Sequence, residues 1–344
     1  KISQYKFSKI KDFKNKNSNL LITKDKNLIF FNGKGTIFKI DENLDLVWEK
    51  NIYSKKEKKQ NISLNFSYDQ GKVIVTDNLA YIYALNLLDG EIIWKKKNSS
   101  AFNAQIKIKK NKIYTVDFDN VLNCYSIENG KKLWEYKSEN TFIKSVKKLS
   151  LVISDEKVIF VNSVGDVNAI SLENGNLIWQ TPTQGIFTNE SSFSIIYSDI
   201  VINDQTIILS NNNRDFFALD SGTGSILWKQ NISSVFRPTI IQKMIFTINE
   251  NGFLIVINKN NGNILRSTNL KKNIKKYGIS KPTGFIVAKN KIYVSLNNGY
   301  LIKVNVMNGI SENFYKISSE YISRPYIIRK KLYILSNNRI QKFE

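Results

Sequence analysis

The chain has 344 residues, 42% of them apolar and 12% aromatic, and a formal net charge of +22. No apolar run is long enough for a bilayer-crossing helix, and there is ample apolar material for a core. With no histidine and a single cysteine, Cys124, it excludes an intrachain disulfide, structural zinc, histidine general bases and Cys–His dyads.

The charge has two readings. One is a polyanionic partner, either nucleic acid or an anionic membrane or lipopolysaccharide surface. The other is codon usage, because Lys, Asn and Ile are over-used together and the lysines scatter through turns and solvent-facing positions. Codon usage is the preferred reading, and nucleic acid is not expected as a partner. Lysines are dense only at Lys55–Lys59, Lys95–Lys97 and between Lys271 and Lys276. The chain begins at Lys1 rather than at methionine, so removal of an upstream segment is expected.

Along the chain, a spare strand is expected first at Ser3–Ser8, where Tyr5 and Phe7 alternate with lysines, followed by a polar linker from Lys11 to Asn19. An internal repeat follows. Its clearest copy is Ala218 to Trp228, Ala-Leu-Asp-Ser-Gly-Thr-Gly-Ser-Ile-Leu-Trp, which reads as strand, turn, strand. Asp220 can accept from the backbone two residues on, and glycine supplies the positive φ of a tight reversal. In chain order the copies are Phe38–Trp48 (without glycine), Ala84–Trp94, Tyr125–Trp134, Ala169–Trp179, Ala218–Trp228, Val256–Arg266 and Lys303–Asn313. Their spacing of roughly 40–50 residues suits four-stranded propeller blades.

Between the copies lie β-branched and aromatic runs bounded by Asn, Asp and Gly, hence strands. They are Gly71–Thr76, Lys112–Val116, Lys157–Val161, Gln205–Leu209, Lys243–Thr247, Lys291–Ser295 and Lys331–Leu335. No segment keeps a helical period over three turns, so the chain is all-β. After the last copy, Pro325–Ile328, Leu332–Leu335 and Ile340–Phe343 supply three strands, one short of a blade. The N-terminal strand completes that blade and removes an open edge. The expected fold is therefore an eight-bladed β-propeller of four-stranded antiparallel blades in a single domain, 1–344. It has a closing strand at 1–10 and blades at 20–50, 62–97, 102–137, 142–182, 193–231, 236–269, 282–316 and 322–344. The basic loop Lys55–Ser63 and the long loop Thr183–Asp199 depart from the repeat and project from a rim, where partners bind.

Five tryptophans, Trp48, Trp94, Trp134, Trp179 and Trp228, sit at the repeat spacing. In four of them a glycine precedes by four residues, which puts each on the outer strand of its blade, ready to dock between sheets. A base-stacking or sugar-binding platform is the less favoured reading. Cys124, at a strand end, reads as a small half-buried hydrophobe. Arg237 and Arg324, each followed by a proline, open inner strands where a guanidinium could fork onto a partner's carboxylate or pair within its own blade.

The phrase Ala-x-Asp-x-x-x-Gly-x-x-x-Trp resembles the tryptophan-docking motif of the pyrroloquinoline-quinone-type β-propellers. Quinone-dependent dehydrogenases of that superfamily carry an adjacent Cys-Cys disulfide, a calcium site and a catalytic Asp. This chain, with one cysteine and a shorter length, departs from that pattern. It is more similar over its whole length to the BamB-type outer-membrane assembly lipoproteins. The shared features are the seven hairpins and closing strand, the long insertion after Trp179, the shortened blade after Trp228, and the endings Arg324-Pro325-Tyr326 and Lys331-Leu332-Tyr333-Ile334. That resemblance implies a non-catalytic scaffold without cofactor or metal, at the periplasmic face of the outer membrane. It also implies a lipidated N-terminal cysteine that is absent from this chain. The implied partners are a BamA-like assembly protein and unfolded outer-membrane proteins, with the chain itself a monomer. The family's partner-binding loop corresponds to Glu139–Lys147, with Phe142, Ile143 and Lys144 in the contact role but without the family's arginine. Phe142 and Ile143 would equally serve to start an inner strand. An anionic polymer or membrane surface is the alternative ligand.

Overall fold

The computed structural model describes residues 3–7, 20–138, 144–145, 147–183, 195–271, 280–336 and 338–344. After β1 (Ser3–Lys6), sheet 1 is built from β2 (Leu21–Ile22), β3 (Leu28–Phe31), β4 (Thr36–Ile40) and β5 (Leu46–Asn51). Sheet 2 holds β6 (Leu64–Asp69), β7 (Lys72–Asp77), β8 (Tyr81–Asn86) and β9 (Ile92–Lys97), after a single 3₁₀ turn at Glu57–Lys59. Sheet 3 holds β10 (Lys107–Lys109), β11 (Lys112–Val116), β12 (Val121–Ser126) and β13 (Lys132–Lys137). Sheet 4 holds β14 (Leu151–Ser154), β15 (Lys157–Val161), β16 (Asp166–Ser171) and β17 (Leu177–Pro182). Sheet 5 holds β18 (Val201–Asn203), β19 (Thr206–Ser210), β20 (Phe216–Asp220) and β21 (Ile226–Gln230). Sheet 6 holds β22 (Thr239–Ile241), β23 (Met244–Ile248), β24 (Phe253–Asn258) and β25 (Ile264–Asn269). Sheet 7 holds β26 (Pro282–Ala288), β27 (Lys291–Leu296), β28 (Tyr300–Asn305) and β29 (Ser311–Lys316). Sheet 8 holds β30 (Tyr326–Ile328), β31 (Lys331–Ser336) and β32 (Arg339–Phe343), with β1 as its fourth strand. Every pairing between these strands is antiparallel and, β1 apart, follows chain order, which makes the fold an eight-bladed β-propeller of four-stranded blades.

Burial explains why the middle strands read as unbroken apolar runs. Strands β7, β8, β15 and β16 are buried on both faces, so alternation is lost there. The fourth strands are sheet edges. In β9 only Trp94 is buried, and in β17 only Trp179.

Two compact units are distinguished, Ser54–Val235 and Lys1–Tyr53 with Phe236–Glu344. In the first, β6, β10, β14 and β18 neighbour one another in turn, so the first strands lie innermost and the fourth outermost. Its sheets pack face to face. Ile74, Ile82 and Trp94 of sheet 2 meet Ile113 and Tyr125 of sheet 3, and Val161 and Trp179 of sheet 4 meet Ile207 and Phe217 of sheet 5. Cys124, expected to be half-buried, is fully buried beside Tyr114 and Phe160, and burial pushes its thiol up to about 12.

In the second unit, sheets 6 and 7 share a core around Phe246, Leu254 and Val294, and sheets 8 and 1 share one around Tyr333, Phe30 and Phe38. There β1 is the outermost strand of sheet 8, with Ser3 opposite Lys342 and Tyr5 opposite Ile340. Tyr5 and Phe7 pack on Phe30 and Phe38, whose rings stack 5.3 Å apart. Arg329 pairs with Glu42 at 2.7 Å, while the Tyr333 hydroxyl and Lys342 Nζ donate to the Glu42 carbonyl at 3.1 and 2.7 Å.

Candidate interaction surface

Each blade has two ends of different construction. At one end the third and fourth strands turn through the repeated hairpin. A β-bulge just before the tryptophan sets two residues opposite one, as at Ile92 and Ile93 against Leu85, and turns the tryptophan onto the next sheet. Trp94 Nε1 donates to the Ile127 carbonyl at 3.1 Å, and Trp179 Nε1 to the Ser221 carbonyl at 3.2 Å. The ring lies flat against a glycine of that sheet's hairpin. Gly130 has φ +69°, and a Cβ there would meet Trp94 Cε3 at 2.7 Å; Gly224, at φ +78°, stands the same way to Trp179. Trp134 lies against Gly175 likewise, yet its Nε1 is buried without a partner. The carbonyl it would reach, that of Leu172, already accepts from Tyr114 and Lys112 at 3.3 and 3.4 Å. Trp48 and Trp228 occupy the corresponding places on β5 and β21, and the Trp228 ring stacks on Phe216.

The copy Val256–Arg266 ends on arginine where five others end on tryptophan. In the structure Arg266 fills the tryptophan's place: Nη2 donates to the Val306 carbonyl at 2.7 Å and Nη1 to that of Met307, over Gly309. The guanidinium plane substitutes for an indole and reaches one more acceptor.

At the other end the second and third strands are joined by a turn that carries a second repeat, which the sequence reading missed. Its first residue is Asn32, Asp77, Asp117, Asn162 or Asn211, and its Oδ1 accepts from the backbone two and four residues on, at 2.7–3.1 Å. The available signal was an Asn or Asp four residues before a strand, with a left-handed residue between. The type of that residue varies (Ala80, Asn120, Gly165, Arg214), which hides the pattern.

The inter-blade connections emerge at this same end of their sheets. Of the residues singled out for partner binding, Phe142 and Ile143 lie outside the described residues. Lys144 is exposed, and its Nζ bonds Asp119 Oδ1 at 2.8 Å in the turn of sheet 3; that bond holds the Asp119 carboxyl below the usual carboxylate range. Two lysines beyond it turn inward. Lys147 Nζ donates to the carbonyls of Tyr197 and Val235, both at 2.8 Å. Lys148 Nζ reaches the Leu64 carbonyl at 2.6 Å, tying sheet 4 to the first strand of sheet 2, and burial pushes this ammonium down to about 8. In the other unit, Arg237 is exposed ahead of β22. Arg324, also exposed, lies 4.8 Å over the Tyr326 ring of its own blade, a cation–π contact. Arg237 and Arg324 thus each stand just ahead of the first strand of their own sheets, β22 and β30.

A comparison with family models and with solved structures places the fold. The family model described as outer membrane protein assembly factor BamB matches residues 33–268. A search of curated protein sequences found no match. Among solved structures, BamB from Moraxella catarrhalis superposes with a TM-score of 0.81 at 15% identity, covering 100% of this chain and 98% of that one. The computationally designed Ika8 protein gives 0.73 at 12% identity, covering 94% of each chain. The C-terminal WD40 domain of Sif2 gives 0.72 at 10% identity, covering 98% and 97%. At such identities these structures share the architecture alone. The family model spans well over half the chain, and the chain belongs to the family of the outer membrane protein assembly factor BamB.

Proposed function

We propose that the chain is a non-catalytic scaffold of the outer-membrane β-barrel assembly machinery, held at the periplasmic face of the outer membrane by an N-terminal lipid anchor. It acts as a monomer and binds a BamA-like partner through the connection that leads from sheet 3 into sheet 4. The observation that carries this reading is the family match over residues 33–268. Lys144 supports it in detail. Its ammonium is part-exposed and already engaged to a carboxylate that sits on a turn, so an acidic group of a partner can compete for it at low cost in desolvation. Phe142 and Ile143 supply the apolar part of the same contact.

The test is affinity purification from a native envelope fraction. The wild-type chain recovers a BamA-like protein, and the Phe142→Ala, Ile143→Ala, Lys144→Glu triple variant recovers at least about tenfold less, the loss expected from a small group of anchor residues. A wild-type chain that recovers no such protein refutes the scaffold reading. A quinone-dependent dehydrogenase would instead reduce an acceptor dye when quinone and calcium are supplied, and no reduction is expected here.

A further inference from the structure

The junction between sheets 2 and 3 departs from its sister junctions. At two of the sister junctions the position two beyond the docked residue closes the seam with a hydroxyl, whereas sheet 1 carries Lys50 there and sheet 5 carries Gln230. Thr181 Oγ1 donates to the Gly224 carbonyl at 2.7 Å, and Thr268 Oγ1 lies against Gly309. At the sheet 2–3 junction that position is Lys96, whose stem passes Gly130. The facing hairpin departs too. Lys131 stands where sister hairpins carry Glu91, Asn176, Ser225 and Asn263, and Lys132 where they carry Ile92, Leu177, Ile226 and Ile264. The result is an open cleft of about 490 Å³ lined by Lys96, Lys97, Lys131, Lys132, Tyr125 and Gly130, with no carboxylate in its wall.

The floor of this cleft is fixed by a hydrogen-bonded chain. The Tyr125 hydroxyl donates to Asn98 Oδ1 at 3.0 Å, Asn98 Nδ2 donates to the buried Asp117 carboxylate at 2.9 Å, and Lys132 Nζ reaches Asn98 Oδ1 at 3.2 Å. Lys132 is also paired with Glu135 outside the cleft at 2.8 Å. Lys96 and Lys131 have no carboxylate within ion-pair distance among the described residues. Codon usage explains lysines in general, but two hairpin positions that hold no lysine in the sister copies, Lys131 and Lys132, gathered with Lys96 and Lys97 around one cleft that has no carboxylate in its wall, point to a ligand.

We propose that this cleft is an anion site for a phosphate-bearing group, with Lys96 and Lys131 as the primary contacts, Lys97 and Lys132 as flanking charges, and the Asn98–Asp117 chain as the support that keeps the floor in place. Two sources share that chemistry, a free phosphate compound and the headgroup of an anionic lipid. The site is independent of the scaffold reading, since it lies on the outer strands of sheets 2 and 3 and shares no residue with the connection after sheet 3.

The experiment compares the wild-type chain with Lys96→Gln, Lys131→Gln and with a charge-matched control, Lys34→Gln, Lys289→Gln, two exposed lysines of the other unit. Inorganic pyrophosphate is titrated calorimetrically, and vesicles containing phosphatidylglycerol are tested by co-sedimentation, each at about 50 and about 200 mM salt. The wild type binds one of the two probes, more weakly at higher salt. The cleft variant binds it at least about tenfold more weakly, and the control is unchanged within about twofold. Binding of pyrophosphate alone assigns a soluble ligand, and binding of vesicles alone assigns a lipid. Equal loss in cleft variant and control, or no binding of either probe by the wild type, overturns the proposal. Circular dichroism melting of each variant confirms that folding is retained.

Discussion

Substituting Gly130 with alanine probes how the tryptophans hold the blades together. Two separable costs are expected. At φ +69° an alanine carries left-handed strain of about 1–2 kcal/mol, whatever surrounds it. Its Cβ would also stand 2.7 Å from Trp94 Cε3, an overlap that displaces the ring and adds about 1–3 kcal/mol. Gly130→Ala alone should therefore cost about 2–5 kcal/mol. Trp94→Ala removes a nearly buried indole and its bond to the Ile127 carbonyl, and should cost about 3–5 kcal/mol. In that background the overlap with the ring is gone and only the flexible Lys96 stem, with Cγ at 2.9 Å, has to yield, so adding Gly130→Ala should cost little beyond the strain, about 1–2 kcal/mol. Gly71 supplies the control: at φ +71° with nothing within 4 Å of its would-be Cβ, Gly71→Ala should cost the strain alone in both backgrounds. Urea unfolding followed by circular dichroism and tryptophan fluorescence gives the four-way comparison. If Gly130→Ala costs the same with and without Trp94, or no more than Gly71→Ala in the wild type, the packing account of the glycine is wrong.

Three further outcomes are expected. Arg266→Lys should destabilise by about 1–2 kcal/mol, because an ammonium cannot span the Val306 and Met307 carbonyls, whereas Arg266→Trp should stay within about 1 kcal/mol of the parent in the same urea assay. Lys148, lowered by burial from 10.5 to about 8, binds its proton less tightly folded than unfolded, so its penalty is full below pH about 8 and disappears as pH rises through 10.5. The stability of Lys148→Met relative to wild type should accordingly fall across that window, and a pH-independent difference would contradict the buried ammonium. Deleting residues 1–7 should uncover Phe30 and Phe38 and leave the outer edge of β32 open, at a cost of about 3 kcal/mol for the two lost aromatic side chains, with light scattering on warming. A truncated chain with an unchanged melting temperature would show that β1 does not hold the sheet.

The blades were legible because the hairpin demands particular residues. The left-handed turn under an indole tolerates little but glycine, and the strands covered on both faces had to be β-branched or aromatic. Arg266 was misjudged because a residue type was matched where the requirement is a flat donor on the next sheet's carbonyl. The turns at Asp77, Asp117 and Asn211 escaped notice because one side-chain oxygen does the work while the intervening residues vary. The partner-binding residues were only partly legible. Lys144 is held by Asp119 in the turn of sheet 3 and Arg324 by Tyr326 of its own blade, and nothing in a linear pattern of charges separates such internal bonds from contacts kept for another protein.

Sheet 8 joins β1 to β32, the Gln4 side chain meeting that of Arg339 across 335 positions of chain. Until Arg339–Phe343 has been synthesised, Tyr5 and Phe7 have no strand to pair with, so earlier sheets can form while this one waits. Folding should then end with a zippering step whose rate responds to changes at Tyr5 or Ile340, while the maturation of the sheets from Ser54 to Val235 proceeds without it.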